Sequence, residues 1–200
     1  MYITIARYAG AAGRIAEATP KAEQGLIPLL KGMPGFLGYA ALGSEQGDIV
    51  SVTLWQNAEA MMNSREPVRD WVSSNLEGLD LPTERFHGPV GTHAMIEPQG
   101  GEEQSLYCLI RKAQGLAAKE LQDEARNAML EAAQKAPGFR GMYYVRTADD
   151  PSLGVSALFC DTREHAAAIH EETTALSLEK QPHVTLTVMA SGQTAALVMG

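Results

Sequence analysis

The sequence is poor in cysteine, in clustered basic residues and in long apolar runs. Its two cysteines, Cys108 and Cys160, lack the spacing of a metal site, and we expect free thiols in a reducing compartment. A net charge of -8 argues against a nucleic-acid partner, because phosphates are neutralised by clustered Lys and Arg. No apolar stretch approaches the roughly 20 residues that span a bilayer, so we expect no membrane partner.

The first residues also lack the features of a signal peptide. Met1 leads directly into an alternating, strand-like run, with neither a charged segment nor a following apolar one. Hydrophobic residues make up 45% of the chain, which is ample for a buried core. We therefore expect an ordered, cytoplasmic protein.

A short motif occurs twice, about half a chain length apart. The segment MPGFLG at 33–38 recurs as APGFRG at 136–141, and a strand-like run precedes each of them, at 2–8 and 106–113. Self-similarity of this kind is typical of a duplicated module. It predicts a first repeat at 1–99, a polar, glycine-rich linker at 100–104 and a second repeat at 105–200.

Each repeat has the pattern strand, helix, hairpin, helix, strand. The first helix is regular in the second repeat but interrupted in the first, where Pro20, Gly25 and Pro28 fall inside it. The order βαββαβ is that of the ferredoxin-like unit, whose helices cover one face of a four-stranded sheet. Since the other face also needs covering, we predict an α+β fold in which two ferredoxin-like repeats form one intramolecular barrel.

Three segments of the first repeat carry a family resemblance: PGFLGY at 34–39, the strand end VTLW at 52–55 and the helix start NAEA at 57–60. With this strand order, the chain resembles the antibiotic biosynthesis monooxygenase superfamily, the dimeric α+β barrels. The resemblance implies a cofactor-independent monooxygenase that acts on a small aromatic or polyketide-like substrate bound between the two sheets. It implies no bound cofactor and no metal.

The functional positions of that family are only partly matched. Trp55 agrees, but Ser51 and Met61 stand where aromatic-oxidising members carry Asn and Tyr. In the second repeat, the corresponding positions are assigned to Phe159, Val155 and His165. The alternative function is therefore a non-catalytic ligand-binding or stress-related barrel.

Two histidines and one arginine are the candidate catalytic residues. His87 and His93 lie along the closing strand of the first repeat, where either would serve as a base near neutral pH. Arg7, near the end of the first strand, would bind an enolate or other anion if it points between the sheets. If that strand end is exposed, Arg7 is instead a solvated residue at the rim.

Four aromatic residues are the candidate substrate-binding residues: Trp55, Tyr39, Tyr8 and Trp71. Such rings line pockets for aromatic ligands, but they equally fill ordinary cores. We expect the partner to be a small aromatic or apolar molecule, held first of all in the first repeat, which keeps the fuller motif. Pairing of the fused barrel into a homo-oligomer is left open.

Overall fold

The structure is a computed structural model that describes residues 1–79, 81–96, 105–116 and 119–199, with the backbone alone for 119–123 and 199. The predicted linker at 100–104 lies outside the described residues. The strands are β1 Tyr2–Tyr8, β2 Phe36–Gly43, β3 Ile49–Trp55, β4 Glu84–Met95, β5 Tyr107–Gln114, β6 Phe139–Arg146, β7 Leu153–Cys160 and β8 Thr185–Met199. The helices are α1 Ile15–Lys21, α2 Ile27–Lys31, α3 Ala58–Asn75, α4 Lys119–Lys135 and α5 Arg163–Lys180.

Backbone hydrogen bonds join the strands in the order β1-β3-β2-β8-β5-β7-β6-β4, and this sheet is a closed barrel. The predicted fold class, an α+β barrel within one chain, is confirmed. The chain divides into two compact units, Met1–Pro89 with Gln193–Gly200, and Val90–Gly192. In each unit a strand is followed by a helical segment, a hairpin, a long helix and a further strand.

The first helical segment of the first unit is irregular, as its prolines and glycine predict. A π-helical turn, Ala22–Leu26, separates α1 from α2, and Pro20 lies inside α1. Gly25 falls within this turn and packs against the ring of Trp71 on α3. A turn of this type widens the helix locally, and it places Leu26 and Leu30 against the sheet.

The repeated PGF motif has the same structural role in both units. Gly35 and Gly138 adopt positive φ angles of 77° and 72°. Their carbonyl oxygens accept hydrogen bonds from the amides of Gln56 and Asp161, over 2.7 Å and 2.9 Å, just before the following helix. A β-carbon on Gly35 would lie 2.8 Å from Cβ of Ala60, so glycine is needed for both conformation and contact.

The strand register corrects one correspondence between the repeats. Tyr2 pairs with Trp55 in the first unit, and Tyr107 pairs with Cys160 in the second. Cys160, and not Phe159, therefore occupies the position of Trp55. A shift of one residue moves a side chain to the other face of a sheet, so the earlier assignment is wrong for this strand.

The length of the hairpin turn sets the true correspondence, because the turn adds two residues where the sequence assignment allowed for one. The last pairs before the turns are Gly43 with Ile49 and Arg146 with Gly154, so the second turn is two residues longer. The longer turn shifts every later residue of the second unit by the same amount. Helices α3 and α5 then begin at matched N-caps, where Asn57 and Thr162 each accept a hydrogen bond from the amide three residues on.

Candidate active site

The first unit contains a cavity of about 110 Å³ between its sheet and its helices. Its floor is the helix-facing side of β1, β2 and β3, and its roof is formed by α1, the π-helical turn and α3. Sequence analysis predicts a ligand between two sheets, whereas this cavity lies between one sheet and the helices that cover it. The opposite face of the sheet carries Ile3, Ile5 and Val50, which are fully buried.

Three of the four predicted binding residues line the cavity together: Tyr8, Tyr39 and Trp55. Trp55 is only 2% exposed, and its indole meets the ring of Phe36 edge-on at 5.8 Å. Trp71 does not belong to the lining residues, because its ring packs on Gly25. The helices contribute apolar side chains to the opposite wall, namely Leu26, Leu30, Met61, Val68 and Val72.

The two phenols of the cavity are hydrogen-bond donors near neutral pH. Burial raises the pKa of Tyr39, and the nearby Tyr8 raises it further. Burial likewise raises the pKa of Tyr8, against a smaller opposing effect of Arg85. A buried phenol resists ionisation because the phenolate would lose its hydration. Both side chains therefore keep their protons and present O–H groups to a ligand.

Several polar atoms of the cavity lack a partner in the described part of the chain. Oγ1 of Thr4 and Nε of Arg65 are buried and make no hydrogen bond there. Arg85, an exposed residue, also contributes to the lining. Among the described lining residues none is Asp, Glu or His, so the polar part of the cavity is cationic and rich in donors. Such a set of groups suits a ligand oxygen that carries negative charge.

The structure does not bring the predicted catalytic residues into this cavity. Arg7 donates to Asp48 and to Glu84, each over 2.6 Å. His87 is not a lining residue, and its Nδ1 lies 3.1 Å from the hydroxyl oxygen of Tyr2. His93 belongs to the second unit, where its ring stacks on Tyr143 at 6.0 Å. A catalytic role for these three residues stays a prediction.

Both positions at which the resemblance implies Asn and Tyr do face the cavity. They hold Ser51, on β3, and Met61, in the first turns of α3. Their spacing from Trp55 is the sequence signal that locates this site. Thr4 and Arg65 carry no comparable signal, because nothing in their local pattern marks them as buried.

Most of the first unit is similar to a known protein family. The family model of the antibiotic biosynthesis monooxygenases matches residues 1–67. This first third of the chain therefore matches an antibiotic biosynthesis monooxygenase domain. The predicted resemblance is thus confirmed, and the matched part of this monooxygenase domain includes Tyr39, Trp55 and Arg65. A comparison with curated proteins finds no match.

Solved structures resemble the whole chain, including the part beyond the monooxygenase domain. A protein named "putative monooxygenase" from Fusobacterium nucleatum is 10% identical, with a TM-score of 0.73 over 99% of this chain and 94% of its own. Another of that name, from Lactobacillus acidophilus, is 12% identical, with a TM-score of 0.66 over 99% and 95%. An anthrone oxidase-like protein is 12% identical, with a TM-score of 0.63 over 99% and 92%. At these identities the likeness shows the fold alone.

Two features are absent from the described residues. No helix there is long and apolar enough to cross a membrane. The same residues contain no group of three His, Cys, Asp or Glu side chains placed to hold a metal ion.

Proposed function

We propose that the cavity of the first unit binds a small aromatic, polyketide-like substrate and oxidises it with dioxygen, without a bound cofactor. The observation that carries the proposal is the composition of the cavity. Its aromatic and apolar walls adjoin phenol and guanidinium donors. The monooxygenase domain match over residues 1–67 supports the same class of reaction.

The size of the cavity limits the substrate. An apolar cavity of about 150 Å³ holds one benzene molecule. The 110 Å³ available here is smaller, so one aromatic ring fits only closely and a second ring would need the helices to move. The exposed position of Arg85 marks the side on which a larger substrate would project.

The donors favour a phenol or an enol as the substrate. The guanidinium group of Arg65 lowers the pKa of a bound phenol, because an adjacent cation stabilises the phenolate. Tyr39 and Thr4 would donate to the same oxygen or to oxygen intermediates. A dry, apolar surrounding strengthens each of these interactions.

The phenolate itself supplies the electrons for the reaction. The ring carbon opposite the phenolate oxygen loses its hydrogen and gains one oxygen atom from dioxygen. The second oxygen atom leaves as water with that hydrogen and the phenolic proton, and the product is a quinone. The reaction balances with the substrate and dioxygen alone, so it requires no cofactor from the protein.

A base is needed only to remove the phenolic proton. His87 is the nearest predicted base, because its partner Tyr2 packs in the same cluster as Trp55. His93, in the second unit, would have no part in this step. Replacing His87 by Gln should shift the lower limb of the pH profile of kcat/KM if His87 takes the proton, and should leave it unchanged if solvent does.

A non-catalytic binding function is the second candidate, and a specific observation favours it. Ser51 and Met61 replace the Asn and Tyr that the resemblance implies, although both positions face the cavity. These changes remove one amide and one phenol without closing the space. Such a cavity would still bind an aromatic ligand while the oxidation is lost.

One experiment separates these functions. Resorcinol, 1-naphthol and anthrone provide probes of one, two and three rings. Binding is followed by quenching of the fluorescence of Trp55 and Trp71, the two tryptophans of the chain. Oxygen uptake and quinone formation are then measured against autoxidation. Ser51→Leu blocks the cavity, and Ser73→Leu, at an exposed position of α3, is the matched control.

The outcomes are distinct. Oxygen uptake that Ser51→Leu abolishes and Ser73→Leu retains supports the monooxygenase. Saturable binding without uptake above autoxidation overturns the monooxygenase and supports the binding protein. Absence of both binding and uptake for all three probes overturns both functions.

A further inference from the structure

The second unit has its own, smaller cavity on the helix-facing side of its sheet. Its volume is about 30 Å³, and a buried arginine, Arg111, lies against it. Arg111 is on β5 and only 3% exposed, which is unusual for a side chain that is always charged. The other polar residues of the lining are Arg126, Tyr144, Ser156, Ser177 and Gln181.

Arg111 has hydroxyl groups as partners and no carboxylate among the described residues. Its Nε donates to Oγ of Ser156 over 3.2 Å, and its Nη1 donates to Oγ1 of Thr173 over 2.6 Å. Thr173 in turn donates to the carbonyl oxygen of Ile169 over 2.7 Å, which leaves its lone pairs to Arg111. The hydroxyls orient the guanidinium group, but they do not neutralise its charge.

The charge persists near neutral pH. Burial lowers the pKa of Arg111 to about 10, which still leaves the group protonated. A second guanidinium group adds positive potential, because Arg126 also lines the cavity, where it lies 4.9 Å from the centroid of the Tyr144 ring. A buried cation without a counter-charge is costly, and a bound anion would offset that cost.

Helix α5 directs further polar groups at the same space. Ser177 on α5 and Gln181 just after it line the cavity, and Thr173, one turn before Ser177 on the same face, holds Arg111. Ser177 is 2% exposed, and its Oγ has no hydrogen-bond partner in the described part of the chain. An unused hydroxyl donor beside a buried cation indicates a ligand that accepts hydrogen bonds.

The matched strand register shows that the positions of Arg111 and of these polar residues are apolar in the first unit. Arg111 pairs with Ser156 as Ala6 pairs with Ser51, so Arg111 stands at the position of Ala6. Counted from the helix N-caps Asn57 and Thr162, Thr173 and Ser177 on α5 and Gln181 just after it correspond to Val68, Val72 and Leu76. Four positions that are apolar in the first unit therefore carry polar residues in the second unit.

We propose that the cavity of the second unit binds a small carboxylate anion. The guanidinium hydrogens of Arg111 that Ser156 and Thr173 do not use would bind one carboxylate oxygen, and the Ser177 hydroxyl would donate to the other. The volume of about 30 Å³ admits a group of a few atoms and excludes an aromatic ring. The two units thus hold ligands of different chemistry.

The test uses the full-length protein and sodium acetate. Side-chain Nε–Hε signals of arginine are recorded by NMR, at an ionic strength held constant with sodium chloride. The Arg111 signal is the one that Arg111→Met removes. We expect acetate to shift it saturably and to raise the melting temperature. Acetamide, the neutral isostere, should do neither.

Two variants locate the site. Ser177→Val installs the residue of the first unit and should weaken acetate binding at least about tenfold, because it removes a hydrogen bond to a charged oxygen. Arg69→Met removes an exposed arginine of α3 and should leave the affinity unchanged. Unsaturable shifts, equal shifts with chloride or acetamide, or unaltered affinity in Ser177→Val would overturn the proposal. The Ser177→Val result stands even if Arg111→Met does not fold.

Discussion

The ring of Trp71 lies so close to Gly25 that a β-carbon on residue 25 would stand 2.7 Å from its Nε1 and Cζ2 atoms. Trp71 thus holds the π-helical turn against α3, and the turn in turn positions Leu26 over the cavity. This contact is the structural role of an aromatic residue that sequence analysis predicts to bind substrate.

Gly25→Ala should therefore destabilise the protein. The added methyl group forces the indole or the turn to move, at a cost of about 1–3 kcal/mol in the free energy of unfolding. Urea denaturation measures the change as a lower midpoint. Gly13→Ala is the control, because a β-carbon there meets nothing within 4 Å. Equal midpoints for the two variants would contradict the role given to the Trp71 contact.

The Arg7 and Asp48 pair should make stability depend on acid pH. Burial alone raises the pKa of Asp48, but the hydrogen bond from the Gly10 amide and the Arg7 guanidinium outweigh it, so the pKa is lowered on folding. A carboxyl with a lowered pKa contributes stability above its unfolded pKa of about 3.9. That stability is lost as the pH falls through the folded pKa.

Asp48→Asn tests this dependence. We expect a loss of about 1.5–3 kcal/mol at pH 7, typical of hydrogen bonds to a charged group, and a smaller difference from wild type at pH 3. Asp70→Asn breaks an exposed ion pair with Arg69 and should have a much smaller effect at either pH, because solvent screens that pair. A loss in Asp48→Asn that is the same at both pH values would show that shape, and not charge, is responsible.

Thr4→Val should stabilise the protein and weaken ligand binding. Its hydroxyl is buried in the cavity without a partner among the described residues, so the isosteric methyl group removes a desolvation penalty of about 1–3 kcal/mol. The same change removes a donor from the proposed site. Thr53→Val, at its cross-strand partner, is the control for strand propensity. A melting temperature below that of the control would refute the assignment of an unsatisfied hydroxyl.

Cys108 and Cys160 should be unreactive in the native protein. Cys108 pairs with Phe159 and Cys160 with Tyr107, so the two thiols point to opposite faces of the sheet and do not form a disulfide. Burial raises the pKa of Cys160 to about 12, and it also raises that of Cys108. Ellman's reagent should label neither thiol until the protein unfolds, whereas a Ser73→Cys variant should react at once. Rapid labelling of the native wild type would contradict this burial.

The register of the second hairpin shows how far sequence comparison reaches. The PGF motifs align β2 with β6 correctly, because Gly35 and Gly138 both need a left-handed backbone. The alignment is wrong one strand later, since the extra turn residues carry no pattern of their own. Cys160 then replaces Phe159 as the counterpart of Trp55, and Ser156 replaces Val155 as that of Ser51.

The sequence by itself determined the order of strands and helices, the α+β class and the likeness of residues 1–67 to the antibiotic biosynthesis monooxygenases. These follow from periodicity, capping and motif spacing, which are local properties of the chain. The repeat boundaries at 99 and 105 remain a prediction from the same local pattern.

Only the tertiary structure decided which face of the sheet holds the cavity and which charged residues are buried. Neither the burial of Arg111 nor that of Nε of Arg65 has a local signal, because burial depends on segments distant in sequence that cover them. Arg7 and His93 both have side chains suited to catalysis. Ion pairs with Asp48 and Glu84 hold Arg7 outside the cavity, and β4 carries His93 into the second unit. Contacts between distant segments decide such placements, and no window of the sequence contains them.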